Sequence, residues 1–268
     1  MRSLLTGLFL VLAAAGMIVA VPSTWVAAHV VSPDGFADAA ARAASKPVVQ
    51  EFFAAKIADE VAQSTDIPLT GAAVAPLATS YTQSPAFVAD FTEVARQQHR
   101  WLFTQPGPET SRHQMELNVT PMVNRVVEEA PVPIEIDREI TVPVDQTRLT
   151  AGSMEGLGSA LTLTAWISVI AGVIAALAAL IFGRNRAAVL SWLGVGAVLA
   201  GGAGAALAAY LRIKAAESAT GDLSTQQTVE AVADDVLAGL TTASWIVAGA
   251  GLAVAVVGAG AALVLNRR

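Results

Sequence analysis

Four long apolar tracts recur along the chain, and polar segments of very unequal length separate them. The tracts are residues 4–21, 160–182, 188–210 and 243–265. A helix rises roughly 1.5 Å per residue, so about 20 apolar residues cross a hydrocarbon core of ~30 Å. The pattern therefore predicts four transmembrane helices, one at 1–21 and three within a region at 160–265.

Arginine placement predicts which ends of the tracts face the cytoplasm. The short segments 1–3, 183–187 and 266–268 hold five arginines and no acidic residue, whereas all 22 acidic residues lie in 22–159 and 211–242. Short loops rich in Lys and Arg stay on the cytoplasmic side. We therefore expect a multi-pass protein of the cell membrane. Both termini, including the tail 266–268, would be cytoplasmic, and residues 22–159 would form an extracytoplasmic domain.

The first tract has two interpretations. Arg2 followed by an apolar run with Ala13-Ala14-Ala15 is typical of a secretory signal peptide with a cleavage site. The run continues through residues 17–21, however, which makes it long enough to span a membrane. We favour an uncleaved signal anchor, with cleavage near Gly16 as the alternative. Either form leaves segment 22–159 outside.

Segment 22–159 begins with a series of helix signals. Ser32 and Ser84 each precede a proline and resemble the N-caps of a first and a third helix. A second helix is expected to start between them, at 45–47. Apolar residues then recur at three-to-four spacing, which indicates one buried face per helix. They include Phe53 and Ile57 in the second helix and Phe91 and Val94 in the third. The run 64–68 is expected to end the helix that starts at 45–47. The helix that starts at Ser84 is expected to run to about Phe103.

A small sheet is expected in the second half of this segment. Met115, Leu117 and Val119 alternate with polar residues and predict a short strand, after which Thr120 starts another helix. Residues 132–144 keep the same period of two, either as one long strand or as a hairpin, and their prolines favour an edge position. The expected fold class is a mainly α membrane protein with an α-rich extracytoplasmic α+β domain.

The connections to the last three tracts are expected to be helical. Residues 149–158 would lead helically into the second span. In the outer loop 211–242, residues 224–227 resemble a capping box, and an amphipathic helix from Val229 to Leu240 follows. That helix would pack on the membrane surface, pack on the outside domain, or continue into the fourth span.

Composition excludes several classes of function. The chain has no cysteine, which excludes disulfides and thiolate metal sites. Segment 22–159 holds nine basic and 17 acidic residues, and this acidic balance argues against nucleic-acid binding. Tracts two to four contain no Asp, Glu, Lys, Arg or His, which disfavours a pump or a proton-coupled transporter.

Catalytic and metal-binding motifs are not recognisable in the sequence. The chain lacks a nucleophile elbow, a phosphate-binding loop and a dinucleotide fingerprint, so we lean towards a protein that is not an enzyme and needs no cofactor. The acidic stretch 128–139 lacks the spacing of a calcium loop, and a solvated face is the favoured interpretation. No metal site is predicted.

The one candidate ligand site lies on the third helix of segment 22–159. Arg96 and His99 share a helix face, with Arg100 beside them, and this group would hold an anion by charge-assisted hydrogen bonds. No metal-ligand spacing accompanies His99. A buried, hydrogen-bonded structural histidine is therefore the favoured alternative.

Small residues at four-residue spacing mark helix-packing positions in the spans. The predicted positions are Gly196, Ala200, Gly204 and Ala208 in the third span, and Gly251, Ala255 and Ala259 in the fourth. Such ladders let two backbones approach closely. We favour packing within one chain, and an interface in a homo-oligomer is the alternative.

Two stretches resemble motifs of a large group of uncharacterised actinobacterial four-span membrane proteins with an N-terminal exported domain. The group's helix start, ddPxVq, is similar to residues 44–50. Its F…W…AnRxxH segment is similar to Phe87 through Leu102, where Ala95-Arg96-Gln97-Gln98-His99 stands and Phe91 replaces the Trp. The resemblance implies this order of parts and no activity.

Two hypotheses of function follow, and a third is weaker. The first is an integral membrane protein of the cell envelope whose exported domain is structural or docks a protein partner in the membrane or envelope. The second is an extracytoplasmic sensor or enzyme that binds an anionic ligand at Arg96 and His99. A channel of oligomerised spans is weaker, since few polar residues line the tracts. The partners expected are the lipid bilayer and another protein.

Overall fold

The computed structural model describes residues 2–64, 71–107, 112–128, 141–145, 149–218 and 223–266. This part of the chain is mainly helical. In chain order the elements are α1 (Arg2–Val26), a π-helical segment (Ala27–Val31), α2 (Pro33–Ala44), α3 (Pro47–Ser64), α4 (Gly71–Thr82), α5 (Pro85–Phe103), β1 (Gln114–Asn118), α6 (Thr120–Glu128), β2 (Thr141–Asp145), α7 (Glu155–Phe182), α8 (Arg186–Ser218) and α9 (Leu223–Asn266).

The chain forms two compact units. The first, which we call the membrane unit, comprises Met1–Ala28, Ser159–Lys214 and Val236–Arg268. The second, which we call the polar unit, comprises His29–Gly158 and Ala215–Asp235. Each unit therefore collects segments that are far apart in the sequence.

Four helices are long and apolar enough to cross a membrane, which confirms the four predicted spans. They cover Arg2–Val31, Glu155–Phe182, Arg186–Glu217 and Leu223–Val264. All four extend beyond the apolar tracts, because polar residues continue the same helices at one or both ends. Many large apolar side chains in them are exposed, including Trp166, Ile174 and Leu252. Such a surface is suited to lipid rather than water.

The predicted helix starts in the polar unit are confirmed. The Ser32 hydroxyl accepts a hydrogen bond from the Gly35 N–H at the start of α2, and the Ser84 hydroxyl does the same for Phe87 at the start of α5. Both oxygens lie 3.4 Å from the nitrogen. The predicted end of the second helix, at 64–68, lies almost entirely outside the described residues, since α3 is described to Ser64 and residues 65–70 are not.

Helices α2 to α6 contribute to one apolar core, and this core includes a helix that the sequence pattern did not predict. The core residues are Ala44, Ala54, Ala58, Val74, Ala78, Tyr81, Phe87, Met122, Val123 and Val126. Val74, Ala78 and Tyr81 come from the unpredicted α4, which contains Pro76 and packs mainly on α3. The core is thus supplied by five helices, with Ala44 as the contribution of α2.

The sheet of the described chain consists of two antiparallel strands. Leu117 of β1 lies opposite Val142 of β2, and Glu116 lies opposite Pro143. The predicted short strand at Met115 is therefore confirmed. Residues 129–140 lie outside the described part. The prediction of one long strand or a hairpin at 132–144 is therefore tested only at β2.

The approach to the second span, predicted to be helical over residues 149–158, is helical only in its second part. Residues 151–154 form a turn, and α7 begins at Glu155. Gly152 has a φ of +72°, a backbone conformation that favours glycine. Its N–H donates to the carbonyl of Trp101 at 2.8 Å, and the Met154 N–H donates to that of Leu102 at 3.0 Å. The turn thus satisfies carbonyls at the end of α5, which a helix there would leave unpaired.

The described part of segment 211–242 is helix. Of the three predicted placements, continuation into the fourth span is confirmed, because α9 runs without a break from Leu223 to Asn266. The predicted capping box at 224–227 lies in the first turns of this helix, and residues 219–222 before it lie outside the described part. Asp235 of this helix also pairs with Arg42 of α2 at 3.3 Å and with Lys46 at 3.1 Å.

Candidate functional site

His99 of the predicted ligand site is a buried side chain. Its exposed fraction is 4%, and its Nε2 lies 3.0 Å from the carbonyl oxygen of Val31. The imidazole stacks on Phe103 with 4.5 Å between ring centroids, and Phe36 approaches at 5.2 Å. These contacts leave His99 enclosed by aromatic side chains and bound to backbone.

Arg96 and Arg100 are turned towards an acidic residue of the same helix. Arg100 lies 3.0 Å from a carboxylate oxygen of Glu93, and Arg96 lies 3.8 Å from the other oxygen. Both guanidinium side chains are about half exposed, whereas the His99 ring points inward. The structure thus places the three predicted residues on α5 without joining them into one anion site.

Metal binding has no support in the described part of the chain. Across those residues, no group of three or more His, Asp or Glu side chains is close enough to hold an ion. Most of the acidic stretch 128–139 lies outside the described residues.

An apolar groove lies on the surface of the polar unit. It has a volume of about 410 Å³, and α3, α5, α6, β1 and the residue after β1 contribute to its wall. The lining side chains are Phe53, Lys56, Ile57, Phe91, Val94, Ala95, Gln98, Leu117, Val119, Met122 and Val123. We call this site the α3–α5 groove.

Contacts within the unit hold the wall of the α3–α5 groove in place. The Phe53 ring meets that of Phe91 edge-on at 5.1 Å, which joins α3 to α5. The Gln97 side-chain oxygen accepts a hydrogen bond from the Asn118 N–H at 2.9 Å, which joins α5 to the end of β1. Met122 and Val123 belong to the buried core, so the floor of the groove is fixed.

Lys56 and Gln98 give the groove its polar edge. Both residues are exposed. The Lys56 ammonium lies 5.7 Å from the centroid of the Phe52 ring and makes no ion pair with any residue that the structure describes. The Lys56 ammonium therefore lies beside apolar walls and is available to pair with an acidic group of a ligand or partner.

Sequence reasoning placed residues of this groove in the core and so missed the site. Phe53, Ile57, Phe91 and Val94 carry the predicted apolar stripes, but all four are only partly buried. Periodicity identifies an inward face and gives no measure of how completely a neighbour covers it. The exposed Lys56 within the stripe of α3 was the available signal.

A polar network with the buried Tyr81 at one end and the half-exposed Arg125 at the other joins α4, α5 and α6. The Tyr81 hydroxyl donates to Asp90 Oδ2 at 2.9 Å, and Arg125 Nε donates to the same oxygen at 2.7 Å. Burial of Tyr81, together with the Asp90 carboxylate, raises the pKa of the phenol well above its ordinary value of 10.0. The phenol therefore stays protonated at neutral pH, where it donates a structural hydrogen bond and cannot accept a proton as a general base.

The predicted small-residue positions of the third span divide between two neighbours. A side chain at Gly196 would meet Ala14 and Met17 of α1, and one at Gly204 would meet Ser244 of α9 and Val21 of α1. The structure also buries Ala200 and Ala208 completely.

The predicted small-residue positions of the fourth span differ in how they are packed. A side chain at Gly251 would meet Gly194 and Ala197 of α8. The Ala255 carbonyl accepts a hydrogen bond from the Ser191 hydroxyl at 3.0 Å. Ala259 is exposed, and the buried position there is Gly258, one residue earlier.

Comparison with known proteins gives no further identification: no protein-family model, no curated protein and no solved structure matches this chain.

Proposed function

We propose that this is an integral membrane protein of the cell envelope whose polar unit lies outside the cytoplasm and docks a protein partner. The arginine distribution supports that orientation. The signal-anchor form of the first span and the resemblance to actinobacterial four-span proteins belong to the same proposal. The observation that carries the docking function is the α3–α5 groove.

The groove has the composition of a recognition site. Partly buried Phe53, Ile57, Phe91 and Val94 form a continuous apolar wall, whereas scattered single apolar residues are usual on a protein surface. A partner that covers this wall removes apolar area from water, at roughly 25 cal/mol for each Å² buried.

Charge narrows the chemistry of the partner. Lys56 is the one cationic side chain in the groove wall. The partner segment we propose therefore carries an apolar cluster that fills the groove and an acidic residue that pairs with Lys56. The pairing selects the register of the segment more than it adds affinity, because an exposed ion pair is worth only about 0.2–1 kcal/mol.

The alternative function, an anionic-ligand sensor or enzyme at Arg96 and His99, has weaker support. Glu93 already pairs with Arg100 at 3.0 Å and lies 3.8 Å from Arg96, so an anionic ligand would compete with this carboxylate. His99 donates inward to Val31 and offers no exposed nitrogen on that side. The geometry around these residues favours a structural role.

Site-directed photo-crosslinking in intact cells tests the docking proposal. We replace Gln98, at the edge of the groove, by p-benzoylphenylalanine in the full-length chain. The matched control carries the same probe at Ala89, which is exposed on the same helix and does not line the groove. We expect one discrete protein adduct from position 98 and none from position 89.

A second substitution ties the adduct to the groove. Val94→Lys places a charge on the apolar wall and should abolish the adduct from position 98, while Ala89→Lys should leave it unchanged. An adduct that survives Val94→Lys, or equal adducts from both probe positions, would overturn the proposal. Circular dichroism of the purified variants shows that the unit remains folded.

A further inference from the structure

A second cavity lies in the membrane unit, where the start of α1, the end of α7 and the start of α8 meet. Its volume is about 330 Å³. Its lining includes the polar residues Arg2, Arg184 and Asn185 and the large apolar residues Leu10, Phe182 and Trp192. The cavity therefore combines two cations with a wall suited to hydrocarbon.

The two arginines have no acidic partner among the residues that the structure describes. Within that part of the chain, no acidic residue lines the cavity, and neither Arg2 nor Arg184 makes an ion pair. Both side chains are exposed and carry the same charge. An anion bound in the cavity would therefore interact favourably with both guanidinium groups.

We propose that this cavity binds the phosphate headgroup of an anionic phospholipid. A guanidinium group donates two parallel hydrogen bonds to phosphate oxygens, which makes arginine well matched to this group. Basic pockets between transmembrane helices bind anionic headgroups in this manner. The inference concerns the membrane unit alone and does not depend on the docking function of the polar unit.

The apolar wall distinguishes a lipid from free phosphate. Leu10 and Phe182 extend the cavity with hydrocarbon surface, along which an acyl chain can lie. Trp192 is 63% exposed beside the same cavity, and tryptophan favours the headgroup level of a bilayer. Inorganic phosphate satisfies the arginines and leaves this wall unused, so the bound phosphate should belong to a lipid.

Native mass spectrometry of the full-length protein in detergent tests the inference. Phosphatidylglycerol is titrated against phosphatidylcholine, and we expect the anionic lipid to bind at least about fivefold more tightly. Arg184→Gln should weaken phosphatidylglycerol binding by about fivefold. The control is Arg186→Gln, which removes the same charge from the same turn at a residue outside the cavity, and it should change binding by less than about twofold.

Arg2→Gln is the second variant, and it keeps the test decisive if Arg184→Gln does not fold. It should also weaken phosphatidylglycerol binding by about fivefold. Equal affinity for the two lipids, or losses no larger than that of Arg186→Gln, would refute the site. If inorganic phosphate displaces phosphatidylglycerol completely and binds as tightly, the ligand is a free phosphate and the lipid assignment is wrong.

Discussion

The Nε2 atom of His99 lies 3.0 Å from the carbonyl oxygen of Val31. A carbonyl oxygen accepts and does not donate, so this ring nitrogen carries the proton. Val31 is the last residue of the π-helical segment, where a carbonyl has no partner further along the helix. The imidazole therefore satisfies a helix end, and this role explains its burial.

Replacing His99 by leucine should destabilise the protein. Leucine fills much of the space between Phe36 and Phe103 but leaves the Val31 carbonyl without its donor, which lowers the free energy of unfolding by about 1–3 kcal/mol. Thermal unfolding of the purified full-length protein measures the loss. His113→Leu is the control, because His113 is exposed, and it should change little. Equal stability of the two variants would contradict a structural role for His99.

Tyr81 should make stability decline at high pH. Its pKa in the folded protein is raised, so the folded state keeps the phenol proton above pH 10.0 while the unfolded state loses it. The unfolded state then binds fewer protons, and the free energy of unfolding falls by about 1.4 kcal/mol per pH unit above that value. This contribution is complete below pH 10.0.

Tyr81→Phe isolates the contribution of this residue. The variant loses the hydrogen bond to Asp90, about 1 kcal/mol at neutral pH, and it should show a shallower alkaline decline than the unsubstituted protein. Urea unfolding at pH values on both sides of the ordinary phenol pKa of about 10 gives the pH dependence of the free energy of unfolding for the two proteins. Parallel declines in the two proteins would show that Tyr81 does not remain protonated.

The α8–α9 contact should be sensitive to side-chain size at one glycine and insensitive at another. A side chain at Gly194 would clash with backbone atoms of Gly251 and Ala255, whereas one at Gly202 of the same helix meets nothing within 4 Å. We expect Gly194→Val to lower stability by about 1–3 kcal/mol or more, and Gly202→Val to change it little.

Light scattering on the same variants separates packing within one chain from oligomerisation. If the small residues pack α8 on α9 within a chain, Gly194→Val lowers the unfolding temperature without a specific change in molar mass. A loss of a defined oligomer in Gly202→Val, with stability unchanged, would instead place an intermolecular interface on the open face of α8.

Local signals in the sequence predicted most of the elements. Ser32 and Ser84 fix the starts of α2 and α5, because a hydroxyl followed by a proline satisfies the first turn wherever it occurs. The four spans follow from length and apolar composition alone. Helix starts and membrane spans depend on residues that are close in sequence, so they can be recognised without knowledge of the tertiary structure.

Features that depend on distant partners were not predictable. The α4 helix was missed because Ala78 supplies part of its buried face, and alanine gives little contrast with its neighbours. The turn at Gly152 forms because the end of α5 offers carbonyl groups from far away in the sequence. The α3–α5 groove was missed because partial burial is a property of the assembled unit.

The orientation of the chain is the central claim, and cysteine labelling tests it most directly. The chain contains no cysteine, so Ala89→Cys and Ser3→Cys each introduce a single reactive thiol at an exposed residue. Intact cells are treated with a membrane-impermeant maleimide before and after permeabilisation. We predict labelling of Ala89→Cys in intact cells and of Ser3→Cys only after permeabilisation. Labelling of Ser3→Cys in intact cells, with Ala89→Cys protected, would contradict the account.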